Sequence, residues 1–384
     1  MLDLKLVQSL PQIPDPVLTA YLETNPADSR NLRHPPGYLI WLKSQAKNLE
    51  ERVPQAERKA FREQVQRLEE YLSGSPANAR GMVIFAGPQV WHLFPLRVQT
   101  ENELFWGSPA LAQLLWLMEE HRPCGVVLVD RSGARFFHYW MGELSEDHEA
   151  RLNIDTAEWK RKEWRPPSQP GVAGMRGTDR DSFEHRVEAQ YVRFFSKEAE
   201  HIRAWAERRD LNPVFLAGPP KIVELAWAEL PKGLQRRSVL IKEDIEHLPL
   251  AEMEARIESE VQRWDREYER ALVNRLLDSA DGSHAVIGLD TTLADLQEGL
   301  TRGIVTVHGI DAEVSECTKC GWTDHLADTV CPICGGTRRS APLKSVLPQL
   351  ARRYKAPLEV VAEDAEEKLR QVGGIGAWLH GSRV

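Results

Sequence analysis

The sequence predicts an α/β protein of three units in series, and three observations carry that expectation. Short apolar strands alternate with helices along most of the chain. Long, densely charged helical stretches separate or flank those strands. Four of the five cysteines form one block, Cys317-x2-Cys320, ten residues, then Cys331-x2-Cys334. At roughly 100–200 residues per domain, 384 residues suffice for two or three domains. We expect units at 1–97, 98–246 and 247–384.

In the first unit Val17–Leu22 reads as a strand, and a long helical stretch runs from Gly37 to Leu72. Pro54 should kink or split that stretch. Leu49, Val53, Phe61, Val65, Leu68 and Leu72 recur at helical spacing among mixed charges, the pattern of an amphipathic surface helix. Met82–Ala86 is an apolar run fit for a buried strand.

The second unit opens with a helix over Pro109–Glu119, then the apolar strand Cys124–Asp130, a turn at Arg131-Ser-Gly133 and a return strand from Ala134 to Met141. Trp159–Arg180 is polar and rich in Pro and Gly, unsuited to a packed element. A long helix is expected after it, capped by Ser182, with Phe183, Val187, Tyr191, Phe194 and Ile202 on its apolar face. Val214–Ala217 is a strand ending at Gly218, and Lys221–Glu229 the next helix.

The third unit begins with the charged helix Leu250–Asp278. A helix over Leu293–Gly303 and a strand over Ile304–His308 precede the cysteine block, an insert at 315–338. Val346–Tyr354 reads as a short helix in which Pro348 fits only the first turn. Leu358–Ala362 is a strand, and Glu363–Val372 a helix that turns through Gly373-Gly-Ile-Gly into the last strand.

A two-residue gap lets both thiolates of a pair reach one ion from a tight turn, and two such pairs make a closed four-thiolate site. The cysteines Cys317, Cys320, Cys331 and Cys334 therefore point to structural Zn2+ over a catalytic ion or a redox dithiol, with iron the other metal of this chemistry. Clustered thiols plus the single Cys124 fit a reducing cytoplasm. No run approaches the roughly 20 apolar residues of a membrane span, and no export signal opens the chain. Net charge is −8, so any contact with a polyanion must come from local basic patches. No Gly-x-x-x-x-Gly-Lys-Ser/Thr loop occurs. Asp130 and His138 lack the partners of a catalytic set and read as a turn cap and a structural residue.

Five stretches resemble the archaeal and eukaryotic class 1 peptide-chain release factors and their relative pelota: Gly81-Met-Val-Ile-Phe-Ala-Gly87, Gly125-Val-Val-Leu-Val-Asp-Arg-Ser-Gly133-Ala, Tyr191-Val-Arg-Phe-Phe, Phe215-Leu-Ala-Gly218, and the cysteine block with Gly373-Gly-Ile-Gly-Ala-Trp-Leu379. The resemblance covers residues 80–384 well and the first domain loosely. It implies a tRNA-shaped, three-domain architecture whose C-terminal α/β/α domain, similar to kink-turn-binding ribosomal proteins, carries the zinc insert. It also implies the 70S ribosome as partner, with 16S and 23S rRNA at the A site, and a translational GTPase of the elongation-factor-Tu class; neither DNA nor a membrane is expected. Bacterial homologues of this kind include a ribosome hibernation factor.

One loop separates this chain from the catalytic relatives. Counting back from Tyr191 sets Gly171, Val172, Ala173, Gly174 and Met175 on the family's Gly-x-Gly-Gly-Gln, followed by Arg176. In the resemblance this loop reaches the peptidyl-transferase centre, where the glutamine guides water to the ester. Here Ala173 restricts the backbone and Met175 has no amide. Catalytic residues are therefore expected to be absent, which favours hibernation, with pelota-like rescue the alternative. A peptidyl-tRNA hydrolase or tRNA-cleaving enzyme is the rival from another class, and Gln169, Arg176, Thr178 or Asp179 would have to serve it. The segment keeps Lys160, Arg161, Lys162, Arg165, Arg176 and Arg180 against Glu163 and Asp179, with Trp159 and Trp164 interleaved, a composition suited to RNA. In the first domain Arg30, Arg33 and His34 are candidate rRNA contacts, with Lys43 and Lys47 near them. The stop-codon-reading tip Asn-Ile-Lys-Ser of the release factors is missing there.

Overall fold

The computed structural model describes residues 7, 9–74, 78–152 and 176–381. Two compact units divide the chain, residues 1–121 with 260–384, and 122–259.

Strand β1 (Val17–Glu23) is buried along its length, and the next residues turn into helices α1 (Gly37–Glu50) and α2 (Arg58–Gly74). The expected long helix is split, with Pro54 in the intervening turn. Strands β2 (Gly81–Gly87), β3 (Val90–Leu96) and β4 (Glu103–Gly107) complete an antiparallel sheet of order β3-β2-β1-β4. Alternate residues of β1 and β2 (Leu18, Ala20, Leu22, Met82, Ile84, Ala86) share a core with Leu39, Leu42, Phe61 and Leu68 of the two helices, as the period of two along a strand requires. Pairing of β4 with β1 carries this sheet past residue 97. Helix α3 (Ala112–Glu120) follows.

Residues 122–259 hold a five-stranded sheet of order β7-β6-β5-β8-β9. A hairpin joins β5 (Cys124–Val129) to β6 (Gly133–Trp140), and β7 (Glu143–Arg151) lies outside it. Helix α4 (Arg176–Arg209) leads to β8 (Val214–Ala217), α5 (Pro220–Glu229), α6 (Lys232–Gln235) and β9 (Ser238–Ile241). Strands β5, β8 and β9 are parallel. Tyr191, Phe195, Ile202 and Trp205 form one stripe of α4 against Val127, Val129 and Phe136. Gly125 makes the approach possible, because a Cβ there would sit 2.9 Å from the Trp205 ring. The helix starts at Arg176, so Ser182 is not its cap and Arg176–Arg180 are helical. A single Gly177 costs about 1 kcal/mol in a helix, little against the cooperativity of 34 residues.

Helix α7 (Leu250–Asp281) leads to β10 (Ala285–Ile287), α8 (Leu289–Gln297) and β11 (Thr301–Val307). The three strands β12 (Glu313–Cys317), β13 (Thr323–Asp324) and β14 (Arg338–Pro342) form a small separate sheet, and α9 (Leu343–Arg353), β15 (Leu358–Val361), α10 (Glu363–Arg370) and β16 (Ile375–Leu379) close the fold. The main sheet runs β10-β16-β11-β15, with β11 and β15 parallel. Two expected helices shift. The helix expected over Leu293–Gly303 occupies Leu289–Gln297 instead, because Gly299 adopts φ +73° and ends it, leaving Thr301–Gly303 to the strand. The helix expected from Val346 begins at Leu343, which places Pro348 inside it. The Lys344 carbonyl, deprived of its Pro348 amide, accepts a hydrogen bond from Trp116 Nε1 at 2.6 Å. Among the described residues no helix is long and apolar enough to cross a membrane.

Candidate functional site

Two tight turns present the cysteines. The Gly321 amide donates to the Cys317 carbonyl and the Gly335 amide to the Cys331 carbonyl, each at 2.9 Å, and both glycines have positive φ. All four Sγ atoms lie within 4.8 Å of one another. Cys317 and Cys334 are 3.5 Å apart and Cys320 and Cys331 3.6 Å. Thiolate–zinc bonds of about 2.3 Å in a tetrahedron separate sulfurs by about 3.8 Å, so the donor set fits a four-thiolate ion. Amides of Lys319 and Cys320 donate to Cys317 Sγ at 3.4 and 3.5 Å. The Cys320 amide foremost holds the Cys317 thiol down at about 6. Cys320 is pushed up to about 12: the Trp322 amide pulls it down, but burial and the neighbouring sulfurs outweigh that pull. A Cβ on Gly336 would stand 3.2 Å from Cys317 Sγ, so that position is kept small.

Three supports of this centre have no signature in the spacing of the cysteines. Gln297, buried at the end of α8, donates to the Thr323 carbonyl at 2.6 Å and accepts from the Thr323 amide at 2.7 Å. The pair ties β13 to the main α/β body as a ladder rung would. Arg338 buries its guanidinium, pairs with Asp324 and donates to the Ser315 carbonyl at 2.9 Å. Arg353 of α9 donates to the Cys320 carbonyl at 3.1 Å. A buried glutamine and an arginine some distance from the knuckles carry no local pattern, and only the fold brings them there.

The remaining candidates separate. Lys160, Arg161, Lys162, Arg165, Gly171, Val172, Ala173, Gly174 and Met175 lie outside the described residues, as do Trp159, Trp164 and Gln169. That segment joins the end of β7 to the start of α4, and Arg176 and Arg180 belong to the helix backbone. In the first unit, the Arg30 guanidinium is held by Asp28 at 2.6 Å, with Glu23 at 3.9 Å, and its hydrogen bonds hold Asp28 down at about 2. Arg33 and His34 are exposed on the same turn, which Asn31 fastens through the Glu23 and Asn25 carbonyls. Lys43 meets Glu69 at 3.6 Å.

Asp130 accepts from the Ser132 hydroxyl and the Ser132 and Gly133 amides. Burial pushes its pKa up, yet these hydrogen bonds hold it below the usual carboxylate range. Glu246 is raised, by burial first and by the Asp130 charge second. His138 Nδ1 lies 3.1 Å from Asp147, which also accepts from Trp205 Nε1 at 2.9 Å and Arg209 at 2.6 Å. These contacts lace β7 to the long helix.

Residues 109–270, less than half of the chain, match the model of bacterial archaeo-eukaryotic release factor family 10. That stretch is similar to bacterial release-factor-like proteins. No curated protein matches it. Among solved structures, the chain is similar to the archaeal translation termination factor aRF1, with 17% identity, 98% of this chain and 96% of that one covered, and a TM-score of 0.25. Pelota of Archaeoglobus fulgidus gives 14%, 79%, 80% and 0.30. Dom34 of S. cerevisiae, described as interacting with Hbs1, gives 8%, 79%, 81% and 0.39.

Proposed function

We propose that this release-factor-like chain binds the 70S ribosome, occupies the A site and serves in hibernation without hydrolysing peptidyl-tRNA. The observation that carries this reading is the tripeptide Ala173-Gly174-Met175, standing immediately before helix α4 where the catalytic relatives have Gly-Gly-Gln. A methionine thioether neither donates a hydrogen bond nor orients a water as an amide does. The family match supports a translation factor, and the cationic composition of 159–180 supports contact with RNA phosphate in a chain of net charge −8. The same resemblance supplies the expectation of a GTPase partner of the elongation-factor-Tu class and of cytoplasmic work. Zinc in the four-cysteine centre is structural in this reading, a closed site with no position for substrate.

Cosedimentation with 70S particles over a range of salt tests the proposal. The wild-type chain is expected in the ribosomal pellet, and charge reversal at Lys160, Arg161 and Lys162 should weaken binding and flatten its salt dependence. Binding unaltered by the triple reversal would remove this segment from the interface. No cosedimentation at low salt would end the ribosomal reading.

A further inference from the structure

Outside the cysteine centre, the C-terminal sheet carries a cavity of about 750 Å3 between α7, β11 and β16. Its size lies within the range of small-molecule sites, and its lining sets two arginines beside the carboxylates of Asp278 and Glu359. Arg275 of α7 and Arg302 of β11 both line it. Each is exposed, and among the described residues neither guanidinium has a carboxylate partner. Two guanidinia lining one cavity without a carboxylate partner leave their anion-binding capacity available to a ligand.

The backbone is irregular beside this cavity. The ladder between β11 and β16 is interrupted between Thr301 and Gly303, a bulge centred on Arg302. Gly303 lies opposite Trp378 in the ladder, where a Cβ would make only an ordinary contact with the ring at 3.9 Å. Trp378 is half-buried in the cavity wall, and Tyr268 forms a second aromatic wall, stacked on Trp264 at 4.9 Å and 18°. Asp278, one turn after Arg275, offers an acceptor for a hydroxyl at the mouth.

We infer that this cavity binds a nucleotide, its phosphate held by Arg275 and Arg302 and its base against Trp378. A bare anion would use the guanidinia and leave the aromatic walls idle, whereas a phosphorylated base uses both. The source is either a free nucleotide or an unpaired residue of RNA, and the chemistry recognised is the same. This inference does not depend on the segment before α4 or on ribosome binding.

The experiment is fluorescence anisotropy of the full-length chain with a labelled short single-stranded RNA, read across salt and in competition with AMP, inorganic phosphate and a glutamate-rich peptide. Arg275→Ala and Arg302→Ala should each weaken binding about tenfold and reduce the logarithmic salt slope by about 0.7. Trp378→Ala should weaken it about tenfold with the slope unchanged, and Trp378→Phe, which keeps a stacking ring and the packing, should restore most of the affinity. Competition by AMP assigns a free nucleotide, and competition by RNA alone assigns an unpaired RNA residue; either supports the inference. Unchanged affinity and slope in both arginine variants overturn it. So does displacement by phosphate as effective as by AMP or RNA, or displacement by the acidic peptide alone. Because this readout uses variants away from 159–180, a failure here leaves the proposed A-site role standing.

Discussion

Pro348 removes an amide from the second turn of α9, and Trp116 supplies the missing donor to the Lys344 carbonyl at 2.6 Å. Trp116 thereby enters the core of the C-terminal sheet as well as satisfying a backbone oxygen. Trp116→Phe should destabilise the protein by about 1–3 kcal/mol, the penalty for an orphaned carbonyl added to lost packing. Pro348→Ala gives the helix its own donor for that carbonyl. The same Trp116→Phe change should then be milder, with a coupling of about 1 kcal/mol in a double-mutant cycle measured by urea unfolding. Strict additivity would mean that the indole contact is worth nothing to the helix.

Protonation at the cysteine centre is argued at the same scale. Cys317, held at about 6, is thiolate at neutral pH, while Cys320, held at about 12, keeps its proton until an ion displaces it. Zinc binding to this centre would therefore release protons and weaken as pH falls, by roughly tenfold per unit for each proton released. Competition with a chelator between pH 8 and pH 6 measures this. A pH-independent affinity would contradict the four-thiolate assignment.

At the scale of elements, the ribbon β12–β14 is a three-stranded insert with little apolar core of its own. What holds it is the Gln297–Thr323 pair and Arg338 with Asp324, to which a metal ion on the four thiolates would add a further tie. Chelation should speed amide exchange across Glu313–Pro342 and leave β5 and β8 unchanged, as mass spectrometry of deuterium uptake would read. Uniform acceleration, or none, would show that the ribbon does not depend on metal. The cysteine spacing made this element legible in the sequence, and apolar runs such as Cys124–Val129 and Val214–Ala217 made the strands legible. The helix ends were less legible. Gly299 stops α8 through a positive φ, which resists reading without the backbone, and α9 admits Pro348 because a tryptophan more than two hundred residues away accepts the task of its amide. The cavity at Arg275, Arg302 and Trp378 is assembled from a helix, a bulge and a late strand, so no local pattern announces it.

For the whole molecule, the residues 1–121 with 260–384 and the residues 122–259 are separate compact units. Together they carry a net charge of −8, so polyanion binding depends on where the cations are concentrated. The sequence places them in 159–180 and the fold adds Arg275 and Arg302, two places whose contributions separate by mutation. In the first unit the candidate Arg30 is ion-paired with Asp28, whereas Arg33 and His34, exposed like it, have no ion pair among the described residues. We propose that the chain takes the A site and brings no group that assists water there. Release of labelled peptide from programmed ribosome complexes tests it most directly. The account predicts that the purified chain cosediments with those ribosomes and frees no peptide above the buffer control. Peptide release that survives Met175→Ala and is lost in Arg176→Ala would contradict it.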